Sequence, residues 1–214
     1  LGSSITAAGP ISVYGGNIAI NAGLSSTVTG ANSVITLKGT GNVTDGTSGS
    51  VSAENLLLLG GNVTLNNSTN AVDTLAASGV GTLTYIDSNA LTLGTVGSTN
   101  GISGSGAVSI GTKTGDLTVA QNVATTNATA TALVLNAGID ANAGSSTGGN
   151  IIISGTPAVS VGSGGVGVLY SGSVSSSTGL TALIGAGSGR FRYNSADDAS
   201  NYTTALGTGL YGIY

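Results

Sequence analysis

Hydrophobic residues recur along this chain in short alternating runs: Val34-Ile35-Thr36-Leu37, Leu83-Thr84-Tyr85, Leu91-Thr92-Leu93, Val108-Ser109-Ile110, Leu117-Thr118-Val119, Leu133-Val134-Leu135, Val159-Ser160-Val161 and Val166-Gly167-Val168. A period of two is the signature of a half-buried strand, because successive side chains point to opposite faces. The outer residues of each triplet are expected to face inward and the central small or hydroxyl residue outward. Gly, Asn and Ser between the runs supply the turns, where positive φ and side-chain-to-backbone hydrogen bonds are needed.

Strands this short cannot stand alone, so the repeat that joins them matters most. Gly15-Gly16-Asn17-Ile18-Ala19-Ile20, Gly60-Gly61-Asn62-Val63-Thr64-Leu65 and Gly148-Gly149-Asn150-Ile151-Ile152-Ile153 each read as a Gly-Gly-Asn turn feeding an apolar strand. Asn17 and Asn62 lie 45 residues apart and Asn62 and Asn150 lie 88 apart, near two and four times a period of about 22. Chance alone supplies roughly 0.6 such triplets at this Gly and Asn content. The repeat predicts an all-β, right-handed parallel β-helix (solenoid) of about 10 coils, a rod about 45–50 Å long. Asn17, Asn62 and Asn150 would recur at one corner, each bonding its turn. A β-sandwich is the competing architecture and predicts hairpins at dipeptides such as Asp45-Gly46 and Asn100-Gly101, but matched flanking strands are not evident at either.

Composition sharpens the picture. The 214 residues include 38 Gly, 2 Pro and no Cys, Met, Trp or His, and only 6% are charged. Without imidazole or thiol, and with Lys38, Lys113, Arg190 and Arg192 as the full set of cations, the chain reads as a non-enzyme with no cofactor and no metal. A formal charge of −4 without basic clusters argues against nucleic-acid binding, and no apolar run approaches a membrane span. Leu1 is not an initiator, so the chain reads as a piece of a longer, exported product. The absence of Cys leaves the redox compartment open.

Residues 1–184 fit the β-helix, and 185–214 depart from it. The latter hold both Arg, the single Phe, Asp197-Asp198 and four of the seven Tyr. Phe191, Tyr193 and Tyr202 are expected to cap the hydrophobic core, with a short helix over Ala196 to Leu206 N-capped by Ser195. No equivalent lid is evident at the N-terminus.

Other motifs have plainer readings. Gly162-Ser163-Gly164-Gly165-Val166-Gly167 matches G-x-G-x-x-G, but a strand-like run follows where a dinucleotide site needs a helix. Asp87, Asp116 and Asp140 would fall on neighbouring coils, as acids do in carbohydrate-cleaving β-helices, yet cations to partner them are scarce. The Gly-Gly pairs lack the Asp of calcium-binding nonapeptides. Asn-x-Ser/Thr acceptors occur at Asn42, Asn62, Asn66, Asn67, Asn127 and Asn201. Tyr14, Tyr85 and Tyr170 are candidates for stacking on a sugar or a partner protein, although core filling would serve them equally.

The run Val72-Asp73-Thr74-Leu75 through Tyr85-Ile86-Asp87, then Gly106-Ala107-Val108-Ser109-Ile110-Gly111 and Gly115-Asp116-Leu117-Thr118-Val119, resembles the shaft of filamentous-haemagglutinin-like exoproteins of Gram-negative bacteria. Arg190-Phe191-Arg192-Tyr193-Asn194-Ser195 followed by Asn201-Tyr202-Thr203-Thr204-Ala205-Leu206-Gly207 resembles the junction where such a shaft ends. The resemblance implies a very large secreted or cell-surface adhesin of the two-partner-secretion type, exported through an outer-membrane pore and acting in adhesion, aggregation or biofilm. Its partner would be a host or bacterial surface glycan or protein. Two other readings stand beside this one: a self-associating subunit that forms filaments by end-to-end stacking, and a carbohydrate-binding or carbohydrate-cleaving β-helix.

Overall fold

Almost every alternating run forms a strand, and each strand finds its partners one turn before and after it in the chain. The computed structural model describes residues 1–146 and 148–214. The first turn carries β1 (Ile5–Ala7), β2 (Ile11–Gly15) and β3 (Ile18–Ile20); the second carries β4 (Gly23–Ser26), β5 (Val34–Gly39) and β6 (Asn42–Asp45). In the next two turns the first pair of strands fuses into one long strand, giving β7 (Ser50–Leu59) with β8 (Asn62–Leu65), then β9 (Ala71–Val80) with β10 (Leu83–Asp87). The fifth turn has β11 (Leu91–Leu93), a side hairpin of β12 (Thr95–Val96) and β13 (Thr99–Asn100), β14 (Ile102–Gly104) and β15 (Val108–Thr112). β16 (Leu117–Val119), β17 (Val123–Thr125) and β18 (Leu133–Ala137) form the sixth turn, and β19 (Ile151–Ile153), β20 (Val159–Ser160) and β21 (Val166–Tyr170) the seventh. The chain then passes through α1 (Leu180–Ile184), β22 (Phe191–Arg192) and β23 (Gly209–Ile213).

Apart from the β12–β13 hairpin, the pairing is parallel throughout the described residues. Three faces result. The first runs β1-β4-β7-β9-β11-β16-β19; the second stacks β2, β5, the later halves of β7 and β9, β14, β17 and β20; the third has nine strands, from β3 to β22. This is a parallel β-helix, and the sandwich is excluded. Asn100-Gly101 does not turn a hairpin: Gly101 leads into β14, and the small hairpin beside it turns at Gly97 and Ser98.

Along the third face Ile18 lies beside Val43, then Val63, Leu83, Val108, Leu133, Gly167 and Leu210, so successive turns take 25, 20, 20, 25, 25, 34 and 43 residues. The expectation of about ten coils is therefore too high. Seven turns and a final rung span eight spacings, or about 38 Å. Later turns are longer because loops before β19 and β23 leave the helix and return.

Inside, the apolar columns are continuous. Leu56, Leu75, Leu93 and Val119 stack in register on one side, and Val63, Leu83, Val108 and Leu133 on another, all essentially without solvent exposure. Each rung buries its aliphatic side chains against the rungs above and below, so the core has no natural end. One triplet reverses the expected orientation. In β21 it is Gly167 and Leu169 that face inward, whereas Val166 and Val168 point outward beneath the loop carrying Tyr202 and Leu206. A size complement explains this. Leu210 fills the space above Gly167, and Phe191 fills the space above Gly212, so bulk in the last rungs comes from one strand over a glycine in the next.

The C-terminal end is closed. Leu180 and Ile184 of α1 join the main core, α1 packs on β19 and β23, and Ile153 donates its N–H to the carbonyl of Thr178 at 2.8 Å. β23 stacks on β21, and β22, earlier in the chain, lies outside β23 as the last strand. The segment 185–214 thus supplies a rung as well as a cover. The helix expected over Ala196 to Leu206 is absent. Instead, the Ser195 hydroxyl accepts the N–H of Asn201 at 2.9 Å and Ala196 donates to the carbonyl of Ala199. Asp, Ser and Asn favour such local bonds over a helical ladder. At the other end, among the described residues, β1, β2 and β3 each pair with one neighbour, β4, β5 and β6.

Candidate interaction surface

Asn17 and Asn62 do share a corner, and Asn42, which the Gly-Gly-Asn search missed, lies between them. The Asn17 side-chain oxygen accepts the Asn42 N–H at 2.8 Å, and that of Asn62 accepts the Thr82 N–H at 3.1 Å. The Asn62 amide group reaches the Asn42 oxygen at 3.5 Å. Each carboxamide lies across the following turn, so the residue beneath it must be small: a Cβ on Gly41 would sit 2.3 Å from the Asn17 oxygen, and one on Gly81 2.2 Å from that of Asn62. This column holds the corner by satisfying backbone donors that the bend leaves out of the ladder.

Asn150 is not in that column. It precedes β19 on the first face, where its N–H donates to Asp116 at 2.9 Å and its side-chain oxygen accepts the Ser173 N–H at 3.0 Å. The same motif serves a bend at a different corner, so the near-multiple spacing between Asn62 and Asn150 is a coincidence of unequal turn lengths.

Of the three tyrosines proposed to meet a partner, Tyr85 is excluded: it is fully buried and its hydroxyl donates to Asp87 at 2.7 Å. Tyr170 is half-buried among Val166, Val168, Tyr202 and Leu206; burial, with Tyr202 and Asp197 nearby, pushes its pKa up to about 12. Tyr14 is open to solvent at 67% exposure. It stands on the outer side of the second face in register with Lys38, and Lys38 with Leu59. These three, with Gly15, Gly16 and Thr40, line a shallow hollow. The β12–β13 hairpin packs farther along the same outer side against β9 and β7, burying Val96.

Charge is sparse around this hollow. Lys113 is paired with Asp140. Arg190 lies over the ring of Tyr211 at 5.4 Å, and Arg192 over Tyr211 and Tyr202 at 5.4 and 5.8 Å. Lys38 has no carboxylate partner among the described residues. The hollow therefore offers an aromatic face, an aliphatic edge and an uncompensated cation within two strand spacings.

Asp87, Asp116 and Asp140 do not converge on a groove. Asp87 is buried within the corner, Asp116 braces Asn150, and Asp140 holds Lys113. At the closed end, the Tyr214 ring stacks between those of Phe191 and Tyr193, with centroids 6.1 and 5.8 Å away. Phe191 packs on the main core and Tyr202 on the outer cluster, while Tyr193 remains 59% exposed. A small cavity of about 20 Å³ beneath this region, lined in part by Asn136, Tyr170 and Asp197, has room for one water. No helix is long and apolar enough to cross a membrane, and among the described residues no group of three or more acidic, His or Cys side chains could hold a metal ion. Comparison with known proteins adds nothing to this geometry, for no family model, curated protein or solved structure matches the chain.

Proposed function

We propose that this chain is a non-enzymatic shaft segment of a large extracellular or cell-surface bacterial adhesin, of the kind the filamentous-haemagglutinin-like exoproteins represent. The observation that carries the reading is the continuous parallel stack: each turn contacts its neighbours through in-register strands and a shared aliphatic column. Such a unit gains length without any change in its core. On this reading the parent leaves the cell through an outer-membrane pore and folds outside. The hollow formed by Tyr14, Lys38 and Leu59 is the proposed contact with a glycan or protein on another surface, since Tyr supplies a stacking face at low entropic cost.

Replacing Tyr14 and Lys38 together with Ala should lower attachment of beads coated with the chain to host or bacterial cell layers by about tenfold, while leaving the melting temperature within about 1–2 °C. Unchanged attachment would remove the hollow from the proposal. Attachment lost along with thermal stability would point to a structural role for Tyr14.

End-to-end stacking of copies by strand addition, the second reading, needs the C-terminal rungs uncovered, and α1 packs there on β19 and β23. Filament formation is for this reason the weaker reading, and electron microscopy at high concentration should find short separate particles.

A further inference from the structure

We propose that the hollow at Tyr14, Lys38 and Leu59 receives an extended acidic segment of a partner protein, with a carboxylate over Lys38 and apolar side chains over Tyr14 and Leu59. The inference rests on the adhesive reading of this hollow and narrows its partner from a glycan or protein to a peptide of stated chemistry. Three observations carry it. The same face already seats a segment of its own chain, its polar groups are too few for a sugar, and its cation has no countercharge among the described residues.

The side hairpin is the internal precedent. On the outer side of the second face, Leu57 lies in register with Ala76 and Leu59 with Ser78. β12 and β13 pack against β9, and β12 also against β7, leaving Ala76 and Val96 buried. The hairpin does this without joining the parallel ladders. A short extended segment thus lays an apolar side chain on this face from outside. On the first three turns the same face stays open, with Leu57 and Leu59 partly buried and Tyr14 exposed.

Register places Tyr14, Lys38 and Leu59 in one line, at intervals of about 4.8 Å. The polar side-chain groups of the hollow are the Tyr14 hydroxyl, the Lys38 ammonium and the Thr40 hydroxyl. The carbonyls of Gly15 and Gly16 already accept the N–H groups of Thr40 and Gly41 at 3.1 and 2.6 Å. A pyranose brings several hydroxyls that would leave water here without partners, and each unpaired group weakens binding. A carboxylate between two apolar side chains needs the ammonium alone. Carboxylates on nearby turns are engaged by the fold: Glu54 accepts the Gly30 N–H at 2.6 Å, and Asp45 accepts those of Asn66 and Asn67 at 3.0 Å. The charge that neutralises Lys38 is therefore the partner's to supply.

The test titrates the isotope-labelled chain with a capped five-residue peptide that has leucine at both ends, glutamate at its centre and serine between, and follows backbone amides by NMR. In extended form the leucines and the glutamate share one face. A second arm replaces the glutamate with glutamine, and a third uses sialyllactose, which carries a carboxylate on a sugar. The glutamate peptide should shift the amides of Gly15, Gly16 and Thr40 and bind at least about fivefold more tightly than the glutamine peptide. K38Q should erase that preference, and Y14A should weaken both peptides alike by about fivefold. Both side chains point outward, so the rest of each variant's spectrum should stay unchanged. Equal affinity for the two peptides, or a glutamate preference that survives K38Q, overturns the proposal. Tighter binding of sialyllactose than of the glutamate peptide also overturns it, while leaving the adhesive hollow standing with a glycan as its partner. If no probe shifts the hollow, the proposal falls as well, and bead attachment then judges the adhesive reading separately.

Discussion

Asp87→Ala should lower stability by about 3 kcal/mol or more, a fall of about 6–12 °C in the melting temperature of a chain this size. Asp87 is fully buried, yet its carboxylate is the meeting point of three donors. One oxygen accepts the Val72 N–H at 2.9 Å and the Tyr85 hydroxyl at 2.7 Å, and the other accepts the Asn89 N–H at 2.9 Å. Removing it orphans all three where water cannot replace it. Asp87→Asn should fall between, because one end of the carboxamide still accepts while its NH2 meets a donor at the other. The pH dependence has a definite sign. Burial raises the Asp87 pKa, and the bonds from Asn89, Tyr85 and Val72 oppose but do not cancel that effect. The folded chain therefore binds a proton more readily than the unfolded chain. The contribution of this group to stability is fully present below the ordinary carboxyl value and declines as pH rises through the raised one. Urea titrations from pH 7 down to pH 4 should show this gain in the wild type and its loss in Asp87→Asn. Wild-type stability in Asp87→Ala would contradict the role given to this corner.

Leu75→Ala should cost about 3–5 kcal/mol. Leu75 has no solvent exposure and sits in the column between Leu56 and Leu93. Truncation would open a cavity that rigid ladders on both sides cannot close, because moving one rung inward breaks register with two others. The matched control is Thr118→Ala on an outward position of β16, expected within about 0.5 kcal/mol. Chemical denaturation of the two variants decides it, and similar small losses at both would mean that the column is not the main source of stability.

Much of the architecture was legible because alternation and turn chemistry repeat at each level. Parity within a run carried more than was taken from it. Leu83, Tyr85 and Asp87 share one parity, so an inward Leu83 already implied that Tyr85 and Asp87 lie inside. The Asn column was also more visible than the Gly-Gly-Asn search allowed. Gly41-Asn42-Val43-Thr44 and Gly61-Asn62-Val63-Thr64 repeat at a spacing of 20, one of the true turn lengths. What could not be read was which corner a motif occupies. Asn150 bends the chain before the first face and Asn62 before the third, yet both present the same local problem to the backbone. Nor could sequence assign the reversed orientation of β21, since Val166 and Val168 alternate as an inward pair would. Their direction is set by Leu210, 43 residues beyond Gly167. The hollow at Tyr14 had a partial signal in its aromatic residue, but the registry with Lys38 and Leu59 arises only once three turns are stacked.

The most direct test of the stacked parallel turns uses the outward column Thr44, Thr64, Thr84, Ser109 and Val134, which lie in register on consecutive turns. The chain has no Cys, so pairs of single Cys substitutions can carry spin labels for distance measurement by pulsed electron paramagnetic resonance. The mean distance from a label at position 44 should grow steadily by about 4.8 Å per turn, reaching about 19 Å between the backbones at position 134. Distances that fail to increase in the order 84, 109, 134 would contradict the solenoid and every proposal built on it.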